Sequence, residues 1–491
     1  MKNDITRDTF DRVKQFSRVL MQQGRVQLDA DWNEQVSILL HYLRVLTTDM
    51  IGPGAGPEDA CGFELFDSDA DIKALKLGAD KEEELIARLK EEKVLIAPGR
   101  YYVNGILAEI DDFASIPQPS TQLAFEAAAA SGLTNKQAVL IYLDVWERHV
   151  TPIEDDGIRE KALGGPDTAT RARITWVVRA RELRKEEDAM VKLPATTKAE
   201  LAKLRDLHSK FDAWREAQWT SRGLLRAGIE EQVESGDPCV NSPESVYRGM
   251  ENQLYRVEIH RRGPAWDGET KAAMSNAATF KWSRDNGSVA AAWLDGEGEI
   301  LKVTASRDEA RGFAPGQWIE LSDDRQDLES VPGTLVQLKE TEAGSLTIDQ
   351  ATTKGIFARK NFGNKAKVRR WDQEETEVIT LDEGAITIQY DKWFALEDGV
   401  QIQFPAPAAP ATYKFHSGDY WLIPARVVSR DIEWAWEEAS EKTTTPTIAQ
   451  RRALPPHGIK HHYALLGLLA AAAGGAFEFT DLRRKIRAVS E

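Results

Sequence analysis

A chain of 491 residues with 42% apolar and 29% charged side chains has the make-up of a globular protein with about two to four cores, which excludes wholesale disorder. Its net charge of −16 excludes generic nucleic-acid binding, which needs a basic stripe to displace phosphate counterions. Two widely separated cysteines, Cys61 and Cys239, exclude a disulfide framework and a cysteine-rich zinc site.

The first residues, MKNDITRDTF, lack the apolar core of a secretory signal. Phe10, Val13, Phe16 and Leu20 form a helix-like apolar pattern that runs into Gly24, a natural helix stop. After a short alternating segment, Arg25 to Asp29, a long amphipathic helix is expected. Val36, Leu39, Leu40, Leu43 and Leu46 recur there at helical spacing, with Asp31 or Asn33 as cap. An N-terminal segment this rich in core-type residues is expected to pack on something: a β-rich body or a neighbouring subunit. The residues assigned to that docking are Phe10, Phe16, Leu20, Arg25, Leu28, Asp29, Asp31, Trp32 and Asn33.

Ile51 to Pro57 reads as a loop, and Lys81 to Lys93 as a charged helix. Asn104-Gly105 marks a hairpin between two strands, and Ala138 to Glu147 is a strand apolar enough to be buried on both faces. Leu163 to Thr168 is a polar loop whose Gly-Gly-Pro-Asp could form an anion nest but more simply reverses the chain. Arg173 to Arg181 alternates as a strand. Glu182 to Glu234 is charged and helix-favouring, with Leu201, Leu204, Leu207, Phe211 and Trp214 at helical spacing, and reads as a helical insertion. From Asn252 onward short strands return with turn signals between them, in the rhythm of SH3- or OB-like barrels. The last quarter is β-rich and heavy in Trp and Pro. Its apolar run, Tyr463 to Phe477, is shorter than the ~20 residues that span a bilayer, so no membrane insertion is expected.

Chemistry is harder to find. His457, His461 and His462 could together hold a metal, but Pro455, Pro456 and Gly458 argue against one helix face, and structural histidines are the simpler reading. Asp29, Asp31 and Asn33 open like a calcium loop, yet Glu34 and Leu40 stand where Gly and a bidentate Glu are needed. Asp144, Glu147, Asp155 and Asp156 are carboxylates of a kind that could run glycoside hydrolysis, if held at a suitable separation. Trp421, Trp434 and Trp436 could line a sugar platform or fill a core. Neither a nucleophile elbow nor a phosphate-binding glycine loop is present, so no catalytic residue, metal or cofactor is assigned.

SRVLMQQGRVQLDADWNEQ, LIYLDVWERHVTPIEDDGIREKALGGPDTATR, ENQLYRVEIH, ATFKWSRDNGSV, GDYWLIPAR and PPHGIKHHYALL together resemble a bacterial family of unknown function that accompanies contractile, phage-tail-like injection particles. The resemblance implies a baseplate-, spike- or fibre-associated component, and no catalytic residues. Nothing fibre-like follows in this chain, which favours an adaptor over a receptor binder. The expected fold is mainly β (α+β), with several small barrel- or sandwich-like domains. The expected division is a helical docking arm over 1–57, a β-rich domain over 58–181 and a helical insertion over 182–251. A small barrel over 252–365 and a C-terminal β-rich domain over 366–491 complete it. The expected partners are other copies of itself, as a homotrimer, and baseplate, spike or tube subunits. A carbohydrate-binding attachment module is the rival reading, and a glycan hydrolase a weaker one. Synthesis is expected in the cytoplasm, followed by incorporation into a particle that can leave the cell.

Overall fold

The computed structural model describes residues 2–66, 68–92, 94–115, 138–182, 198–220, 222–230, 246–270, 274–304, 312–408, 412–437, 448–471 and 477–487. It is a mainly β, α+β protein in which sheets draw their strands from remote parts of the chain.

Two four-stranded sheets pack face to face. One has the order Lys485–Ile486, Gly54–Pro57, Gly99–Val103, Ile106–Ile110; the other Phe477–Asp481, His462–Ala471, Ala138–Val150, Arg171–Glu182. Tyr101, Val103, Ile106 and Ala108 from the first meet Ile141, Leu143, Val145 and Leu466 from the second in one core. The opposite face of the second sheet, Leu140, Tyr142, Leu465 and Leu468, is covered by Leu207 and Phe211 of helix Lys198–Thr220. This double burial is why Ala138 to Glu147 lacks polar alternation. The described part of the helical insertion is thus a lid on its own sheet, and strand Arg226–Ile229 follows it within the stretch read as helical.

A six-stranded sheet is built around Gln253–Ile259, which pairs with Thr279–Ser283 on one side and Tyr420–Arg426 on the other. Tyr255, Val257 and Ile259 point into an apolar core shared with a three-stranded sheet that holds Arg226–Ile229. The alternate residues, Arg256 and Glu258, face the other way and are buried as well. The expected small barrel is present and closed, running Ala290–Glu297, Ile300–Val303, Ser345–Asp349, Thr334–Glu342, Trp318–Ser322 and Lys367–Trp371. Its last strand lies beyond residue 365, where the sequence division ended the domain, and strands Gln253–Ile259 and Thr279–Ser283 belong to the neighbouring sheet. The contiguous division fails for a simple reason. Strand patterning reports which face is buried, not which distant strand supplies the hydrogen bonds.

Two N-terminal readings are corrected. Phe10 to Gly24 is not a helix: a single 3-10 turn, Arg12–Lys14, interrupts an extended segment. Gly54–Pro57 is a strand rather than loop, its glycines lying where Tyr101 and the backbone of Arg100 leave little room for a side chain.

Candidate functional site: an apolar ribbon anchored in a buried ionic layer

Residues 2–51 form three pieces: a tip (2–9), a strap (10–28) and helix α1 (Asp29–Ile51). The tip is fastened to its own body. Lys2 Nζ lies 2.9 Å from Glu258 Oε1. Asn286 Nδ2 donates to the Asn3 carbonyl at 2.8 Å, and Asn3 Nδ2 donates to Thr170 Oγ1 at 3.0 Å. Arg426 donates to the Thr6 carbonyl and Arg7 pairs with Glu433.

Lys2 enters a charged layer between the six-stranded sheet and the barrel. Glu258 also meets Arg256 at 2.7 Å and Lys281 at 3.4 Å, while Lys281 reaches Glu320 at 2.6 Å. Trp371 Nε1 donates to Glu320 Oε2, and Arg369 donates to the Gly287 carbonyl. Burial by itself would raise both glutamates. Lys2, Arg256 and Lys281 hold Glu258 well below the usual carboxylate range, and Lys281 with Lys2 brings Glu320 down to about 2. Burial lowers Lys2 in turn.

The strap runs back alongside α1. Phe10 stacks near His41 with ring centroids 5.6 Å apart, Val19 N–H donates to Gln35 Oε1, and Thr9 Oγ1 donates to Glu34 Oε2. Asp29 accepts from the Thr6 hydroxyl and N–H, which ties the start of α1 to the tip. Leu28, not Asp31 or Asn33, holds the N-cap position and makes no side-chain cap. Asp29, Asp31 and Asn33 are therefore helical residues, incompatible with a calcium loop. At its other end α1 stops at Gly52, whose N–H donates to the Thr48 carbonyl at 2.7 Å.

The inner face of α1 sits on the body through buried Ala30 and Ile38 and an Arg44–Glu147 ion pair of 2.8 Å. The Asn104-Gly105 hairpin turn is its seat. Gly105 has φ +75°, and a Cβ there would fall 2.3 Å from the Arg44 carbonyl oxygen, so no side chain fits. The outer face is bare: Trp32 (73% exposed), Val36, Leu39, Leu43, Leu46 and Met50 all face solvent, and so do Val13, Phe16, Leu20, Met21, Val26 and Leu28 on the strap. Between strap and helix lies a groove of about 650 Å³ lined by Phe10, Val13, Phe16, His41 and Tyr42. Of the residues assigned to docking, Phe16, Leu20, Arg25, Leu28, Trp32 and Asn33 are exposed. Phe10 and Asp31 are half-buried, and Asp29 is spent on Thr6.

The candidate chemical residues fall elsewhere. His461 Nδ1 lies 2.7 Å from Asp144 Oδ1, Arg179 Nε donates to Asp144 Oδ2, and Trp146 packs on the imidazole. His457 stacks on Tyr420 and His462 meets Asn104, so the three histidines face different neighbours. Glu147 holds α1, Asp155 pairs with Arg173, and Asp156 with Arg159. Gly164 and Gly165 reverse the chain, with the Gly165 N–H donating to the Glu160 carbonyl. Trp421 and Trp434 lie in the core and Arg451 covers Trp436, so the three form no exposed row. Among the described residues the one carboxylate group close enough to share a metal is Glu154, Asp324 and Asp327. Lys367 reaches Glu154 (2.8 Å) and Asp327 (2.6 Å), and Arg148 reaches Asp324 and Asp327, so protein cations already fill that place.

Residues 1–218 and 214–479 match a family of unknown function (DUF6519). The chain belongs to this family. No curated protein and no solved structure is detectably similar to this DUF6519 member. No described helix is long and apolar enough to cross a membrane. Sequence reasoning reached the apolar arm of the DUF6519 chain but missed its anchor. The available signal was the charge placed inside otherwise apolar strands, Arg256 and Glu258, Lys281, and Lys367 with Arg369.

Proposed function

We propose that this protein is a structural adaptor of a contractile, phage-tail-like injection particle, joining baseplate, spike or tube to an appendage by subunit packing. The observation that carries the packing role is the ribbon: an uncovered apolar surface fastened to a well-packed body through the tip and the inner face of α1. An isolated monomer rarely exposes contiguous apolar patches beyond roughly 300–600 Å². The fifteen large apolar side chains exposed between Val13 and Met50 are each 37–84% exposed, and at ~60–120 Å² for a wholly exposed one they offer roughly 500–1,000 Å² together. Placement in a tail-like particle rests on the motif resemblance. The carboxylates and histidines that a hydrolase would use are engaged in ion pairs or packing, which favours structure over chemistry.

The test is a Leu39→Glu/Leu43→Glu double variant expressed with the rest of its gene cluster. Both positions face solvent, so the variant is expected to keep the wild-type circular dichroism and melting temperature. Purified particles should lack it. Normal incorporation of the variant would refute the adaptor reading.

A further inference from the structure

We infer that α1 is one strand of a parallel three-helix coiled coil made by three copies of this chain. The inference rests on the reading of the ribbon as an interface and names what covers it. Trp32, Val36, Leu39, Leu43, Leu46 and Met50 are separated by alternating steps of four and three residues, which is the heptad a/d repeat. All six are exposed, while Ala30, Ile38 and Arg44 turn toward the body and His41 toward the strap. A 3.5-residue repeat is more demanding than the 3.6-residue stripe of a helix lying on its own core, and here it faces away from that core.

The occupant follows from the flanks. With Val36, Leu43 and Met50 at a, the e positions are Asn33, Leu40 and Thr47, and the g positions Gln35, Tyr42 and Asp49. Asp49 is the single charge among these six, so like-charge repulsion between copies is confined to one level and no charge code selects a different helix. Leu40 and Tyr42 are exposed beside the stripe and widen it beyond a strict a/d seam. A two-stranded coil leaves such positions wet. A bundle in which each helix touches two neighbours buries them. Three helices make the smallest such bundle, and closed cyclic symmetry makes them parallel, so that Trp32 meets Trp32 and Met50 meets Met50. Among the described residues, helices Ala79–Glu92 and Lys198–Thr220 are committed to their own cores through Leu85 and Leu89, and through Leu207 and Phe211.

Light scattering on the purified full chain reads the mass. Three times 54.9 kDa is expected for the wild type, with loss to one chain for Leu39→Glu/Leu43→Glu and partial dissociation for the milder Leu39→Ala/Leu43→Ala. Mild oxidation of Met50→Cys should give disulfide-linked chains, which an antiparallel pairing cannot form at that position. Val428→Cys, on an exposed turn, should not. A wild-type mass of one chain, a trimer that survives the glutamate pair, or a Met50→Cys protein that fails to cross-link would each overturn the inference. If the wild type is a single chain but the glutamate variant still drops out of the particle, the coiled coil fails and the adaptor reading stands. If α1 assembles copies yet the variant enters particles normally, the adaptor reading fails instead.

Discussion

Lys2 is the peg that fixes the ribbon to the body, and its worth can be measured against Glu258. Truncating one partner of a buried ion pair typically costs about 3–5 kcal/mol, because the other charge is left uncompensated. Here Glu258 keeps Arg256 at 2.7 Å and Lys281 at 3.4 Å, and the Lys2 side chain is 25% exposed. The loss for Lys2→Ala should therefore fall to about 1–2 kcal/mol. Glu258→Gln leaves three cations facing one fewer anion and should cost more, near the full about 3–5 kcal/mol. Because the two side chains touch, the double variant should be less destabilised than the sum, with a coupling of about 1–2 kcal/mol. Urea unfolding of the four proteins, followed by tryptophan fluorescence, gives the cycle. Effects that add to within about 0.3 kcal/mol would show that the Lys2–Glu258 contact does not hold the tip, and the anchored-ribbon argument would be wrong.

Gly105→Ala should lower the melting temperature and loosen α1, because the added Cβ meets the Arg44 backbone at a positive φ. Gly164→Ala, also at positive φ but in open space, should show only the backbone cost of about 1 kcal/mol. Stability should also depend on pH in two windows. Burial lowers His149 and His260 to about 3, and His208, His416, His457 and His462 to about 4. Their folded pKa values lie below the unfolded one, so the unfolded chain takes up protons first. The contribution is complete above pH 6.5 and is lost as pH falls through the folded values of about 4 and then about 3. Glu154 and Glu320, both brought down to about 2 despite burial, add a second loss below pH 4.5. A urea midpoint that stays constant from pH 7 to 4 would contradict this burial of neutral histidines.

Much of the local structure was legible because it is written in local patterns. Asn104-Gly105 specified its hairpin and Ala138 to Glu147 its double burial, and of the short strands from Asn252 onward those from Ala290 form the barrel. The assembly of sheets was not legible. His462–Ala471 pairs with Ala138–Val150 across more than 300 residues, and no periodicity encodes that choice. The strap misled for a different reason. Phe10, Val13, Phe16 and Leu20 have helical spacing, yet the Asp11 side chain caps a single turn and Gln15 takes φ +56°, which ends it. The site was half legible. The exposed leucines of α1 stood out, but their use could be judged only once the structure showed which face meets the body. The ionic layer stayed hidden because Arg256, Glu258 and Lys281 sit on the alternate face of strands, where charge ordinarily means solvent.

In the proposed assembly another protein surface covers the ribbon. Hydroxyl-radical footprinting of the assembled protein tests it through three methionines: Met21 on the strap, Met50 at the end of the α1 stripe, and Met250 as a reference 95% exposed on the body. Strong protection of Met21 and Met50 is expected, while Met250 oxidises freely. Oxidation of all three at rates that simply follow their exposure in the single chain would contradict it.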